Sequence, residues 1–309
     1  MAIARAQLMK ELLPGLNALF GLEYARYPEE WRNCFEVENS DRSFEEETKL
    51  SGFGQAPVKQ EGAAITYDDA QEAYTSRYTH ETMAMGFSIT EEAVEDNLYD
   101  SLSARYTKAL ARAFQHTKEV KGADLFNSGF TGQVGGDGVS LFNASHPLVN
   151  GSTNGNRPSV AVDLNETSLE AGIISIGKWT DERGLKITAR PTKLLIPSDL
   201  QFVAERLMKS ELSTVAGGTG DGTFAKNDVN ALRSSSAIPG GVMVNHYLTD
   251  ADAWFLGTDI PNGFKHFVRV PMKTAMEGDF ETGNVRYKGR ERYSFGYSDP
   301  LAYYGSPGA

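Results

Sequence analysis

The chain has 309 residues, with 30 basic against 41 acidic side chains and a net charge of −11. That length allows one large or two moderate domains. The acidic balance argues against a protein that grips nucleic acid over its whole surface, which would normally be basic. The lone Cys34 rules out an intramolecular disulfide framework and a cysteine-rich metal site. The opening residues carry Arg5, Lys10 and Glu11 where a signal peptide needs an apolar run, and no later stretch is apolar enough to span a membrane. The chain reads as a soluble cytoplasmic protein, so the sequons starting at Asn143, Asn150 and Asn165 carry no weight.

Residues 1 to about 35 read as an amphipathic arm: Leu8, Leu12, Leu13, Leu16, Leu19 and Phe20 have near-helical spacing, with Pro14 and Gly15 placed to interrupt it. Such an arm docks either on another subunit or on its own domain. Residues 36–50 are acidic and expected to be exposed. From Gly52 to Ile89 the pattern changes to strands. The run AAITYDD is followed by AYTSRYTHETMAMGFSIT, where Met83, Met85, Phe87 and Ile89 alternate with Thr82, Ala84, Gly86 and Ser88. Together with the polar middle these strands predict an extended hairpin, which is marginal alone and must lie on something.

Residues from Thr90 to Asn127 predict one long helix. Thr90 is the expected N-cap, with Glu91 and Glu92 in the first turn and Arg105, Lys108, Arg112, Lys118 and Lys121 late, the order that suits the helix dipole. Its apolar residues Val94, Leu98, Leu102, Tyr106, Leu110 and Phe114 recur every fourth position, so the ridge drifts by roughly 40° per step and meets different partners along its length. After a glycine-rich loop, a second helix is expected near Thr167, capped with Glu170 and ended by Gly184. The KLLIP run (193–197) reads as a buried strand. Ser198 with Gln201 is expected to cap a third helix and open a second domain. Residues 211–226 read as a mobile glycine-rich loop. The runs VMVNHYL, AWFLG, FKHFVRV and YSFGYSDPLAYY read as strands.

No convincing active site emerges. His80-Glu81 begins like a zinc-protease helix, but Ala84 stands where the second His belongs, and the segment reads as strand. The glycines of 217–222 lack the phosphate-cradling Gly-Lys-Ser ending. His246, Asp250 and Asp252 could form half a hydrolytic site, yet TDADA is a natural turn. Ser145-His146 lacks a nucleophile elbow. Arg286, Lys288 and Arg290, interleaved with Tyr287 and Tyr293, read as a strand edge with salt bridges to a neighbour ahead of a nucleic-acid contact. An arm, a long hairpin and a long helix without an active site favour a structural protein that completes its core with neighbours.

The stretches DLNETSLEA (163–171), ERGLKITARPTKLLIPSDLQFVAERLMKS (182–210), VNHYLTDADAWFLGTDIPNGFKHF (244–267) and the closing GDFETGNVRYKGRERYSFGYSDPLAYYGSPGA resemble the major capsid proteins of tailed bacteriophages, most narrowly the Mu-like major head subunit family. The resemblance implies an α+β chain with the Hong Kong-phage capsid fold. Its parts would be an N-terminal arm (1–43), an extended E-loop hairpin (44–88), a peripheral domain with a spine helix (89–184), an axial domain (185–270) and peripheral return strands (271–309). It also implies a non-enzymatic virion protein without cofactors, made in a bacterial host. Hexamers and pentamers would close into an icosahedral shell around double-stranded DNA, held without specific binding and with no membrane contact. The expected partners are other copies, a portal, a separate scaffolding protein (no scaffolding segment precedes the arm) and, as a further candidate, a decoration protein. Leu12, Leu16, Phe20, Tyr67, Tyr74, Tyr78, Arg286, Lys288 and Arg290 are the candidate interface residues. The alternatives are an encapsulin-like nanocompartment shell and, remotely, a soluble hydrolase.

Overall fold

A computed structural model describes residues 5–90, 92, 99–212, 229–279 and 283–309, with side chains for 14–90, 92, 103–212, 229–279 and 283–309. The main helices are α1 (Arg5–Tyr24), α2 (Tyr99–Asn127), α3 (Glu166–Gly177) and α4 (Gln201–Lys209). The strands are β1 (Glu36–Asn39), β2 (Phe44–Leu50), β3 (Glu72–Thr79), β4 (Glu81–Ile89), β5 (His146–Pro147), β6 (Thr153–Asn154), β7 (Pro191–Ile196), β8 (Val242–Val244), β9 (Trp254–Thr258), β10 (Phe264–Gly278), β11 (Val285–Tyr297) and β12 (Tyr303–Ser306). Helices and largely antiparallel sheets make the chain α+β. It divides into two compact units, one of residues 1–45, 78–122 and 266–295, the other of 46–77, 123–265 and 296–309.

The first unit is built on a four-stranded sheet of order β1-β10-β11-β4. Leu16 and Phe20 of α1 and Leu110, Ala111 and Phe114 of α2 bury against Tyr287, with Met83, Phe87, Met272 and Met276 around them. Of the two readings of the arm, α1 therefore packs on its own unit. Gly289 makes this close approach possible: a Cβ there would come within 2.8 Å of the Phe114 ring. Pro14 does not interrupt α1, contrary to the sequence reading. A proline removes one helical bond, and the buried Leu16 and Phe20 fix the turns that follow it.

The second unit holds a sheet of order β12-β9-β7-β8, in which only β7 and β8 are shown running parallel. Its core gathers Leu194, Ile196, Trp254, Leu256, Leu169, Ile176 and Tyr304, each large apolar side chain contributing about 1.5–3 kcal/mol on burial. The two buried indoles of this unit are satisfied: Trp254 Nε1 donates to the Val162 carbonyl at 3.0 Å and Trp179 Nε1 to that of Gly155 at 2.9 Å.

Several local expectations are corrected. Helix α3 is capped by Asn165 and Ser168, whose side chains and backbone N–H groups bond reciprocally, and not by Thr167 and Glu170; it ends at Gly177, while Gly184 supplies positive φ in a later turn. Ser198 lies inside a 3-10 turn and makes no side-chain cap bond to α4. Residues 63–69 form no strand; β3 instead pairs with the acidic β2, whose residues alternate between exposed and half-buried. Strand β11 lies between β10 and β4 and is not an edge. The expected Glu91 first turn, Val94, Leu98 and Leu102 of the helix ridge, and residues 213–228 of the glycine loop lie outside the residues or side chains described.

Candidate assembly surfaces

Between β2 and β3, residues 51–71 run without regular secondary structure apart from a turn near Gly62. This connection exceeds the ~12–15 residues beyond which an irregular loop in a compact domain is usually functional. Its root is tied firmly. The Ser51 N–H donates to the Gln71 carbonyl at 2.8 Å, and the Gln71 N–H returns to Ser51 Oγ at 2.9 Å. Further out, Asp68 accepts the Gly54 N–H at 2.7 Å and pairs with Arg183. These bonds hold the Asp68 carboxyl below the ordinary carboxylate range, the Gly54 bond first and Arg183 second. Beyond the root the loop carries apolar side chains with nothing over them: Val58 is 96% exposed and Tyr67 85%, with Phe53 and Ile65 also exposed.

A groove of about 690 Å³ opens at the loop root, lined by Lys49, Leu50, Glu182, Ile187, Ile260 and Asp299, among others. Lys49 Nζ bridges Asp299 at 2.8 Å and Glu182 at 3.3 Å. Burial pulls the Lys49 pKa down, but the two carboxylates outweigh it and the net shift is upward, so Lys49 is a fixed cation. Glu47 joins Lys265 and Ser298 in the same unit. These charges are paired within the chain.

In the first unit, a clamp that the sequence reading missed fixes the segment after α1. Gln115, Lys118, Glu119 and Gly122 share one face of α2 at helical spacing. Gln115 Nε2 donates to the Tyr24 carbonyl at 2.6 Å. Glu119 accepts the backbone N–H groups of Glu30 and Trp31 at 2.8 and 3.0 Å. Lys118 Nζ bonds Tyr24 Oη at 2.6 Å and Glu291 at 2.8 Å, and lies 5.2–5.9 Å from the ring centroids of Tyr24, Trp31 and Tyr293. A Cβ on Gly122 would meet Trp31 Cβ at 2.9 Å, so the helix passes too close for any other residue. The sequence reading gave Lys118 only a helix-dipole role. The polar i, i+3, i+4 spacing of Gln115, Lys118 and Glu119 was the available signal.

The candidate interface residues fall into separate places. Leu16, Phe20 and Tyr78 are buried within the first unit, Tyr78 edge-on to Phe267 at 4.8 Å. Tyr74 is half-buried and donates to the Ser298 carbonyl at 3.2 Å. Tyr67 is exposed on the loop, and the Leu12 side chain lies outside those described. Arg286, Lys288 and Arg290 project from one face of β11, opposite Ser88, Gly86 and Ala84 of β4, so small neighbours leave the three cations open. Arg286 pairs with Asp279.

Of the residues weighed for chemistry, His80, Asp250 and His146 are held in structural contacts. His80 is buried between Ser40 Oγ at 2.9 Å and Ser294 Oγ at 3.0 Å. Asp250 accepts the Asp252 N–H at 3.2 Å, the expected turn. His146 is enclosed by Asp137 and by Asn156, whose amide also braces the Leu141, Pro300 and Tyr303 carbonyls. Among the described residues no group of three or more His, Cys, Asp and Glu could hold a metal ion, and no helix is long and apolar enough to cross a membrane.

Solved structures share this architecture at low sequence identity. The capsid protein of Myoviridae phage XM1 is 11% identical with a TM-score of 0.52, over 89% of this chain and 90% of that one. The capsid protein of the empty GTA particle is 14% identical with a TM-score of 0.55, over 89% and 88%. The SrpI encapsulin of Synechococcus elongatus is 10% identical with a TM-score of 0.53, over 91% and 88%. No curated protein matches the sequence. The profile of the phage capsid proteins, by contrast, matches residues 72–305. The chain has the capsid fold and belongs to the phage capsid protein family.

Proposed function

We propose that the protein is the major head subunit of a tailed phage, close to the Mu-like group, and that it assembles into hexamers and pentamers of an icosahedral shell around double-stranded DNA. Family and fold point to a structural, non-enzymatic virion protein. The observation that carries the assembly reading is the loop at 51–71, pinned at its root and bearing apolar side chains that its own subunit leaves exposed. Covering them on another copy supplies the apolar burial that stable interfaces need. In this reading residues 1–43 are the arm, 44–88 the extended loop with its strands, 89–184 and 271–309 the peripheral domain and 185–270 the axial domain. Tyr67 and the cations Arg286, Lys288 and Arg290 face neighbouring copies. A portal, a scaffolding protein and a decoration protein are the further partners, and assembly takes place in the host cytoplasm. The encapsulin shares the fold alone; the family match is what favours the phage reading over a nanocompartment.

Replacing residues 53–66 with a short Gly-Ser linker tests this directly. Sedimentation of the wild-type protein should show large particles, while the shortened chain stays a small, folded species. Large particles from the shortened chain would contradict the role given to the loop.

A further inference from the structure

The Lys118 clamp leaves four buried polar atoms without a protein partner: Trp31 Nε1, His266 Nδ1, Glu291 Oε1 and Tyr293 Oη. They belong to side chains in mutual contact. The Trp31 and His266 rings stand 4.5 Å apart between centroids, and His266 and Tyr293 stand 5.2 Å apart. Glu291 and Tyr293 are two residues apart on β11, so they share a face. An unmet buried donor or acceptor is costly, and native interiors hold very few of them. Here four occur around one ammonium.

The hydrogen-bond inventory of the cluster is complementary. Lys118 has three protons and gives two, to Tyr24 Oη and to Glu291 Oε2. Its third proton, the Trp31 indole N–H and the Tyr293 hydroxyl proton are donors in search of acceptors. Glu291 Oε1 and His266 Nδ1 are acceptors in search of donors. The His266 assignment follows from its other ring nitrogen, which faces the Ser294 backbone carbonyl as donor. Burial, aided by Lys118, pushes the His266 pKa down to about 3, so the ring stays neutral and Nδ1 keeps its lone pair. Lys118 and Glu291 pair in charge.

We infer that the joint between the segment following α1 and the face of β11 holds about two internal water molecules, each making about three hydrogen bonds. The waters complete the bonds of Trp31, His266, Tyr293, Glu291 and Lys118, so the joint between the N-terminal segment and the sheet is wet. The inference rests on the first unit alone and does not depend on the assembly reading.

A density map of the wild-type protein that resolves ordered solvent should place water within hydrogen-bonding distance of both Trp31 Nε1 and His266 Nδ1. A joint without such water overturns the inference. Tyr293→Phe reads the same site through stability. A hydroxyl held by water makes its removal costly, with about a fivefold loss in the folding equilibrium and a lower denaturation midpoint. A midpoint that rises or stays unchanged means that the hydroxyl was unmet, and overturns the inference.

Discussion

Removing the Lys118 ammonium without removing its bulk, as Lys118→Met, isolates the electrostatics of the clamp. The ammonium stands 2.8 Å from Glu291, with side-chain exposures of 10% and 3%. At an effective dielectric constant near 20 the attraction at that distance is about 6 kcal/mol, most of it offsetting desolvation of several kcal/mol for each ion. In the variant, Glu291 is a buried anion without a counter-charge, and burial already raises its pKa. It escapes by taking a proton. From the ordinary value of 4.5, neutralisation at pH 7 costs about 3 kcal/mol, at 1.36 kcal/mol per unit. At pH 5 the same step costs under about 1 kcal/mol. Lys118→Met should therefore destabilise by about 3–5 kcal/mol at pH 7, and by about 2–3 kcal/mol less at pH 5. Adding Glu291→Gln should recover part of the loss, since the anion that lost its counter-charge is gone. Urea unfolding followed by tryptophan fluorescence, with Trp31 beside the site, reads all three. A cost below about 1 kcal/mol at pH 7, or one equal at both pH values, would refute the reasoning.

Three further outcomes follow from neighbouring features. Burial first, and then the nearby carboxylates of Glu30 and Glu29, lift the Glu119 pKa from 4.5 to about 7 despite its two backbone N–H bonds. The folded state thus holds the Glu119 proton more tightly than the unfolded chain, and its contribution to stability is full below pH 4.5 and lost as pH rises through about 7. Glu119→Gln should flatten that slope in midpoints measured from pH 4.5 to 8. Gly289→Ala places a methyl 2.8 Å from the Phe114 ring and should cost about 1–3 kcal/mol in a melt, where an unchanged stability would mean the ring moves freely aside. With a net charge of −11, assembled particles should bind added DNA weakly and without a steep dependence on salt, as a filter-binding titration would show.

How far the sequence revealed the fold depended on whether a signal was local. The strand at 193–196 and the run of β9 were plain, because continuous apolar residues buried on both faces announce themselves. Helix α2 was plain in its described part because its apolar residues recur every fourth position and its charges follow the helix dipole. The partner of β2 was not, because its alternation is among charged residues (Glu45, Glu46, Glu47) and its mate β3 lies beyond the long loop. The cap of α3 was misplaced by two residues, since Asn165, Thr167 and Ser168 are all good capping types and only the backbone angles choose among them. At the candidate surfaces, the exposure of Tyr67 and Val58 needed coordinates, while Leu16 and Phe20 looked like docking residues because their cover, Phe114 and Tyr287, is remote in sequence. Lys118 was the largest miss. Its position in the basic half of α2 gave it only a helix-dipole role, and only the tertiary approach of Trp31 and Glu291 makes it a buried anchor.

The most direct test of the shell-forming role is negative-stain microscopy of the protein expressed alone and again with the head proteins encoded beside it. Closed shells, or rings of five and six subunits, are the expected images. A stable monomer under both conditions would contradict it.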